Sequence, residues 1–243
     1  MSVDEYIFAE NVRKAIESFK AGNTILLFDM EGREEETDFA IPAEAVKPSD
    51  VRLMRKEGGG LICVSLDALA AEKLGLPLMS DLLISASEVD PSILKTIEKS
   101  GDLKYDSRSS FSLWVNHRKT RTGIPDNDRA LTINEVANSV KKTLNAEPVD
   151  FGIEFRTPGH VALLRAAEGL TNERCGQTEL SVALAHMSGI TPAVAICEIL
   201  DDHSGTALSK KKAIELSNKK EMVFVEGSEI VEAYETWKEL NSY

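Results

Sequence analysis

Between Glu10 and Ala21 the apolar residues Val12, Ile16 and Phe19 recur at helical spacing and Gly22 ends the pattern, so an amphipathic helix is predicted there. The period then changes. Ile25, Leu26, Leu27 and Phe28 are apolar without interruption, which predicts a strand over 24–28 covered on both faces. The acidic stretch 29–37 reads as a loop, and Asp38 to Ile41 as a short returning strand ended by Pro42. Ser49 is expected to cap a helix reaching Glu57, which Gly58, Gly59 and Gly60 break ahead of a buried strand over 61–65. Further along, the pattern predicts a strand over 111–116 and a helix over 132–144 with Ile133, Val136, Val140 and Leu144 on one face. The remainder alternates: strand 161–165, helix 179–187, strand 193–200, helix 210–218, strand 222–225, helix 229–240. Such alternation predicts an α/β (mixed α+β) protein, a layered mixed β-sheet flanked by helices. No linker, repeat or shift of composition divides the chain, so a single domain over 1–243 is expected.

Composition narrows the partners. With 42% hydrophobic and 28% charged residues the chain has the makings of an ordinary globular core. Its net charge of −12 argues against nucleic acid or a membrane surface as partner, since both are anionic. An anionic small molecule would need a local basic pocket. Lys210, Lys211, Lys212, Lys219 and Lys220 read as a solvated helix face. Cys63, Cys175 and Cys197 lack metal-site spacing and fit a reducing compartment. Met1 to Asn11 carries no leader signature and no stretch is apolar enough to span a bilayer, so a soluble cytoplasmic protein is expected.

Four places carry candidate chemistry. The connection from Asp29 to Asp38 crowds Glu31, Glu34, Glu35 and Glu36 around Arg33. Such mutual repulsion is relieved by a divalent cation or a cationic ligand, and hard cations such as Mg²⁺ take carboxylate oxygens; a solvated acidic turn is the alternative. An EF-hand is not matched, because Arg33 falls where an oxygen ligand is required. Arg174-Cys175-Gly176-Gln177-Thr178 precedes a helix, so its backbone N–H groups, the Thr178 hydroxyl and the Arg174 guanidinium suit an anion, unless Thr178 is simply a cap. His160 lies in Arg156-Thr157-Pro158-Gly159-His160, read as a turn, where a histidine beside Arg156 suits a ligand, a proton shuttle or a phosphate contact, or is structural. Glu198 interrupts an apolar strand, where a carboxylate needs a partner or a task; burial would raise its pKa toward that of a general base, and an ion pair is the alternative.

Taken in order, the Arg-Glu-x-x-x-Asp loop, the Arg-x-Pro-Gly-His turn, the Arg-x-Gly-x-Thr-Glu helix start and the Cys-Glu strand resemble 3,4-dihydroxy-2-butanone 4-phosphate synthase over about 11–225. Gly58-Gly59-Gly60-Leu61-Ile62-Cys63, Thr122-Gly123-Ile124 and Asp128-Arg129 add to the likeness, and the length between Ser85 and Ser110 resembles the archaeal branch. The resemblance implies a mixed-sheet domain working as a homodimer with active sites near the subunit interface. It implies a lyase of riboflavin biosynthesis using Mg²⁺ or Mn²⁺, which converts ribulose 5-phosphate to dihydroxybutanone phosphate and formate. By the same resemblance, Arg33, Glu34, Asp38, Cys63, Arg156, Gln177 and Glu198 are expected to bind the substrate, with Arg174, Gly176 and Thr178 as the phosphate cradle. His160 and Glu198 are implied in catalysis together with Asp38 and Glu34, and Glu34 is implied as a metal ligand.

Two positions depart from the family pattern. Gln177 stands where the family has a metal-ligand histidine, and offers a carbonyl oxygen that suits Mg²⁺ but does not titrate near neutrality. Pro125 stands where a serine or threonine is usual. The second reading is therefore a paralogue that binds a sugar phosphate with weak or no turnover.

Overall fold

The computed structural model describes residues 8–241, so most of the segment on which the leader expectation rested lies outside the described residues. Seven strands form one sheet: β1 (Ile25–Phe28), β2 (Thr37–Pro42), β3 (Cys63–Leu66), β4 (Phe111–His117), β5 (Phe155–Arg165), β6 (Ala193–Glu198) and β7 (Phe224–Glu226). Their order is β4-β5-β3-β6-β2-β1-β7, with β3–β5 and β1–β7 parallel and the other pairs antiparallel. The helices are α1 (Glu10–Lys20), α2 (Pro48–Glu57), α3 (Ala68–Lys73), α4 (Met79–Ala86), α5 (Asp126–Leu144), α6 (Phe151–Glu154), α7 (Gln177–Met187), α8 (Lys210–Lys220) and α9 (Gly227–Asn241).

Strand alternation divides the core in two. Phe39, Ile41, Val64, Leu163, Ala195 and Cys197 pack toward α2, α3, α5 and α8, whereas Ala40, Cys63, Ala162, Leu164, Val194 and Ile196 pack toward α1, α7 and α9. Central strands covered on both faces have to be apolar throughout, and β1 is buried at all four positions. That places Asp38 and Glu198, in step with Ala40 and Ile196, on the α7 face.

The structure corrects several sequence expectations. Ser49 does not cap α2; the helix starts with Pro48, and the Lys47 N–H donates to Asp50 Oδ2 at 2.7 Å. Helix α5 starts six residues earlier than predicted, directly after Pro125, whose carbonyl accepts the Arg129 N–H. Arg156 to His160 is not a free turn: β5 runs through it, paired to β4 with a register shift between Val115 and Asn116 and a cis Thr157–Pro158 bond. The lysines of α8 are not merely solvated, since Lys210 pairs with Glu31 and Glu226, Lys212 with Asp201 and Lys220 with Glu57. Among the described residues no helix is long and apolar enough to cross a membrane.

Candidate active site

Strand ends and a helix start meet at one edge of the sheet. β1 ends at Phe28, β2 begins at Thr37, β6 ends at Glu198 and β3 begins at Cys63, with the first turn of α7 against them. Asp38 is the register partner of both Leu27 and Glu198, and Cys63 that of Ile196. A cavity of about 520 Å³ opens at this edge, and Arg33, Glu34, Glu36, Cys63, Arg174, Gln177, Thr178 and Glu198 all form part of its wall.

The acidic connection is sorted by one buried side chain. Asp29 is fully buried; its Oδ1 accepts the Glu36 N–H at 3.0 Å, and its Oδ2 accepts the Glu34 N–H at 3.1 Å and Arg33 Nη1 at 3.3 Å. Glycine at 32, with φ of +81°, lets the chain turn and donates its N–H to Glu35 Oε1. Glu31 points outward to Lys210. Glu34 and Glu36 are thereby turned to the cavity, with Asp38 buried beside Glu198.

These carboxylates push one another's protons on. Burial, then the charges of Glu34, Glu198 and Asp29, raise Glu36 to about 7. Asp38 is raised well above the ordinary carboxylate range by burial first and then by Glu198, Glu36, Glu34 and Asp29. Glu198 is raised by burial, against a backbone hydrogen bond and with help from Glu34. It is half-buried rather than fully enclosed. Burial holds the Cys63 thiol well above its usual range, so the group is uncharged at neutral pH.

Guanidiniums stand beside these carboxylates in the same cavity wall. Gly176 is the N-cap of α7, and a methyl group there would lie 2.8 Å from Arg33 Nη2 and against the Arg174 guanidinium. Thr178 Oγ1 lies 3.2 Å from Ser110 Oγ. Two guanidiniums, a helix N-terminus and a hydroxyl are the donor set that a phosphate takes.

A divalent cation fits the acidic wall on three grounds. Both carboxylate oxygens of Asp38 are buried with no hydrogen-bond partner, and so is Gln177 Oε1. Gln177 Nε2 donates to the carbonyls of Leu27 (3.0 Å) and Glu36 (3.1 Å), which fixes the amide with its oxygen turned away from them. Oxygen donors of this kind suit Mg²⁺ or Mn²⁺. Elsewhere, on the α5 face, His117, Glu135 and Glu154 bring ligand atoms within 4.8 Å of one another, a second possible metal site among the described residues. His117 Nδ1 there receives the Lys119 N–H.

Arg156 and His160 are not in the cavity wall. Both lie on the edge of β5 next to β4, and His160 is exposed. Asn116, fully buried, accepts the His160 N–H at 2.9 Å through Oδ1, and its Nδ2 lies 3.1 Å from His160 Nδ1 and 3.3 Å from the Thr122 carbonyl. With Nδ2 donating, the neutral imidazole carries its proton on Nε2.

The family model for 3,4-dihydroxy-2-butanone 4-phosphate synthase matches residues 13–233. The chain belongs to this family. A 3,4-dihydroxy-2-butanone 4-phosphate synthase of Methanosarcina mazei is 58% identical over 228 residues, covering 94% of this chain and 92% of its own length. That of Archaeoglobus fulgidus is 56% identical, covering 93% and 95%. Among solved structures, the synthase of Candida albicans superposes with a TM-score of 0.71 at 27% identity over 93% of this chain and 97% of its own. A synthase in complex with two magnesium ions gives 0.73 at 26% over 90% and 94%.

Measured against the synthase site implied by sequence, the structure brings Arg33, Glu34, Cys63, Arg174, Gln177, Thr178 and Glu198 to one cavity, with Asp38 and Gly176 directly behind its wall. Tyr105 and Asp106 have no counterpart in the sequence reading; Glu36 enters it only as one acid of the 29–38 connection, and Ser110 only as the end of the 85–110 stretch. Glu36 had a signal, because it shares the strand alternation of Asp38. The other three come from a long excursion between α4 and β4 that carries no motif.

Proposed function

We propose that this chain converts D-ribulose 5-phosphate to L-3,4-dihydroxy-2-butanone 4-phosphate and formate in riboflavin biosynthesis. The observation that carries this reading is one cavity that brings two guanidiniums at a helix N-terminus together with carboxylates whose pKa values are raised. The family match over 13–233 supports it independently.

Arg33, Arg174, Thr178 and the first N–H groups of α7 bind the phosphate and orient the sugar. Proton removal beside a ketone creates an enediolate, and the group that takes the proton needs a pKa near the working pH. Glu36, raised to about 7 at the cavity, meets that requirement, and Glu198, raised by burial, is shifted toward it. Asp38, buried and raised well above the ordinary carboxylate range, is suited to proton transfer where water leaves. His160 serves in proton transfer or substrate orientation from the exposed edge of β5. Cys63 contacts substrate as a neutral thiol.

Glu34 and Gln177 Oε1 would hold Mg²⁺ or Mn²⁺, which when bound stabilises negative charge on adjacent sugar oxygens. Gln177 needs no proton removed before it can offer its oxygen, unlike an imidazole. The resemblance and the exposure of His160 also favour a homodimer.

The test is formate release from ribulose 5-phosphate with Mg²⁺, for this chain and for Gln177→His. Release that chelation abolishes supports an enzyme. Release only by Gln177→His would favour the binding paralogue, and release by neither would overturn the assignment.

A further inference from the structure

Two arginines of the proposed phosphate wall are already engaged by one side chain. Asp106 Oδ2 accepts Arg33 Nη2 at 2.6 Å and Arg174 Nε at 2.5 Å. Arg33 also faces Asp29 and Glu34, and Arg174 donates to Glu179 Oε2 at 2.5 Å. Two positive charges thus meet Asp29, Glu34, Asp106 and Glu179. An arriving phosphate dianion finds no uncompensated cation in that set, and a further anion would be repelled.

Asp106 is the one of those four acids carried on a segment with little buried anchorage. Asp29 is locked by backbone N–H groups, Glu179 is fully buried and accepts the Ala167 N–H, and Glu34 is the acid proposed above to hold the cation. Asp106 belongs to the stretch 79–110, in which Ile97 is the single buried residue. This stretch covers the cavity with Glu98, Leu103 and Tyr105, and the Arg33 guanidinium lies 5.5 Å from the Tyr105 ring centre. Burial works against the Asp106 charge, but Arg174, the Ser107 N–H and Arg33 outweigh it and keep the carboxylate ionised.

We propose that Asp106 is a resident stand-in for the substrate phosphate, latching residues 96–110 over the cavity and giving up its two guanidinium N–H donors when a phosphate group arrives. This rests on the reading of the cavity as a sugar-phosphate site, and it adds a residue that sets affinity through competition. A ligand that must displace such a competitor binds more weakly by the fraction of time the site is free.

The experiment measures inorganic phosphate binding by calorimetry to the full chain, to Asp106→Asn and to Asp106→Ala, alongside the KM for ribulose 5-phosphate. Both variants should bind phosphate about tenfold more tightly or better, and the KM should fall. In the unaltered chain, saturating phosphate should speed hydrogen exchange within 96–110, a readout that needs no variant to fold. Unchanged or weaker phosphate binding in the variants would overturn the latch and show that Asp106 merely positions the arginines. Unchanged or slower exchange on adding phosphate would also overturn it. A chain that gains phosphate affinity on loss of Asp106 yet never turns over ribulose 5-phosphate would leave the latch standing and remove the proposed activity.

Discussion

Glu198 closes β6 at the cavity wall, and its register partner Asp38 is fully buried, so the two differ in exposure while sharing one face. The half-buried acid is the one that lines the cavity, and it is the one proposed to reach substrate. Replacing Glu198 by Gln keeps its shape and removes its proton chemistry, so turnover should fall by roughly 10²–10⁴ while substrate binding is retained; near-normal turnover would refute its role. Glu36 supports a second prediction, with a sign fixed by its upward shift. A carboxyl raised to about 7 in the folded chain leaves stability intact below its ordinary range near 4.5 and takes it away as pH rises through 7. Without divalent cation, thermal stability should therefore decline between about pH 5 and pH 8, less steeply in Glu36→Gln. A bound dication favours the ionised form, so the rise in Tm on adding Mg²⁺ should be larger at the alkaline end. An equal Mg²⁺ shift at both ends would separate the cation from this cluster.

At the level of elements, the start of α7 depends on a residue chosen for its lack of a side chain. Gly176 has an ordinary φ of −82°, so alanine is tolerated by the backbone, but its methyl group would press on Arg33 and Arg174. Gly176→Ala should leave the fold intact and raise the KM for ribulose 5-phosphate about tenfold, the effect of displacing one charge-assisted hydrogen bond; an unchanged KM would show that the guanidiniums do not need that closeness. This helix start was legible in sequence because its signal is local: a glycine, a hydroxyl and an arginine within five positions, followed by an apolar run. β1 was legible for the same reason, being apolar at four consecutive buried positions. β5 was not. Pro158 and Gly159 read as a turn, yet the β4–β5 irregularity absorbs the missing N–H, and Gly159 lets the β4 backbone come so close that a Cβ would collide with Val115 and Asn116. Asp106 was beyond reach of any local pattern, since its partners Arg33 and Arg174 lie 73 and 68 residues away. Long-range pairing through a motif-free stretch leaves no trace in periodicity.

At the scale of the whole molecule, the position of His160 becomes informative. Asn116 holds its backbone and Nδ1, which leaves Nε2 directed away from that anchor on an exposed strand edge, outside the wall of the chain's own cavity. A group anchored this way, with Nε2 meeting no hydrogen-bond partner among the described residues, is accounted for if it serves the cavity of a second subunit in the proposed homodimer. Closed two-fold symmetry makes this testable, because each of two equivalent sites would draw Glu198 from one subunit and His160 from the other. His160→Ala and Glu198→Gln chains should each be impaired alone. After the two are mixed under conditions that allow subunit exchange, half of the dimers are hybrids, and each hybrid carries one site with both groups intact. Formate release should then recover to about a quarter of that of the unaltered chain, by the statistics of random pairing. If His160 instead swings into its own cavity, every site in every dimer keeps one defect, and mixing restores nothing beyond the sum of the parents.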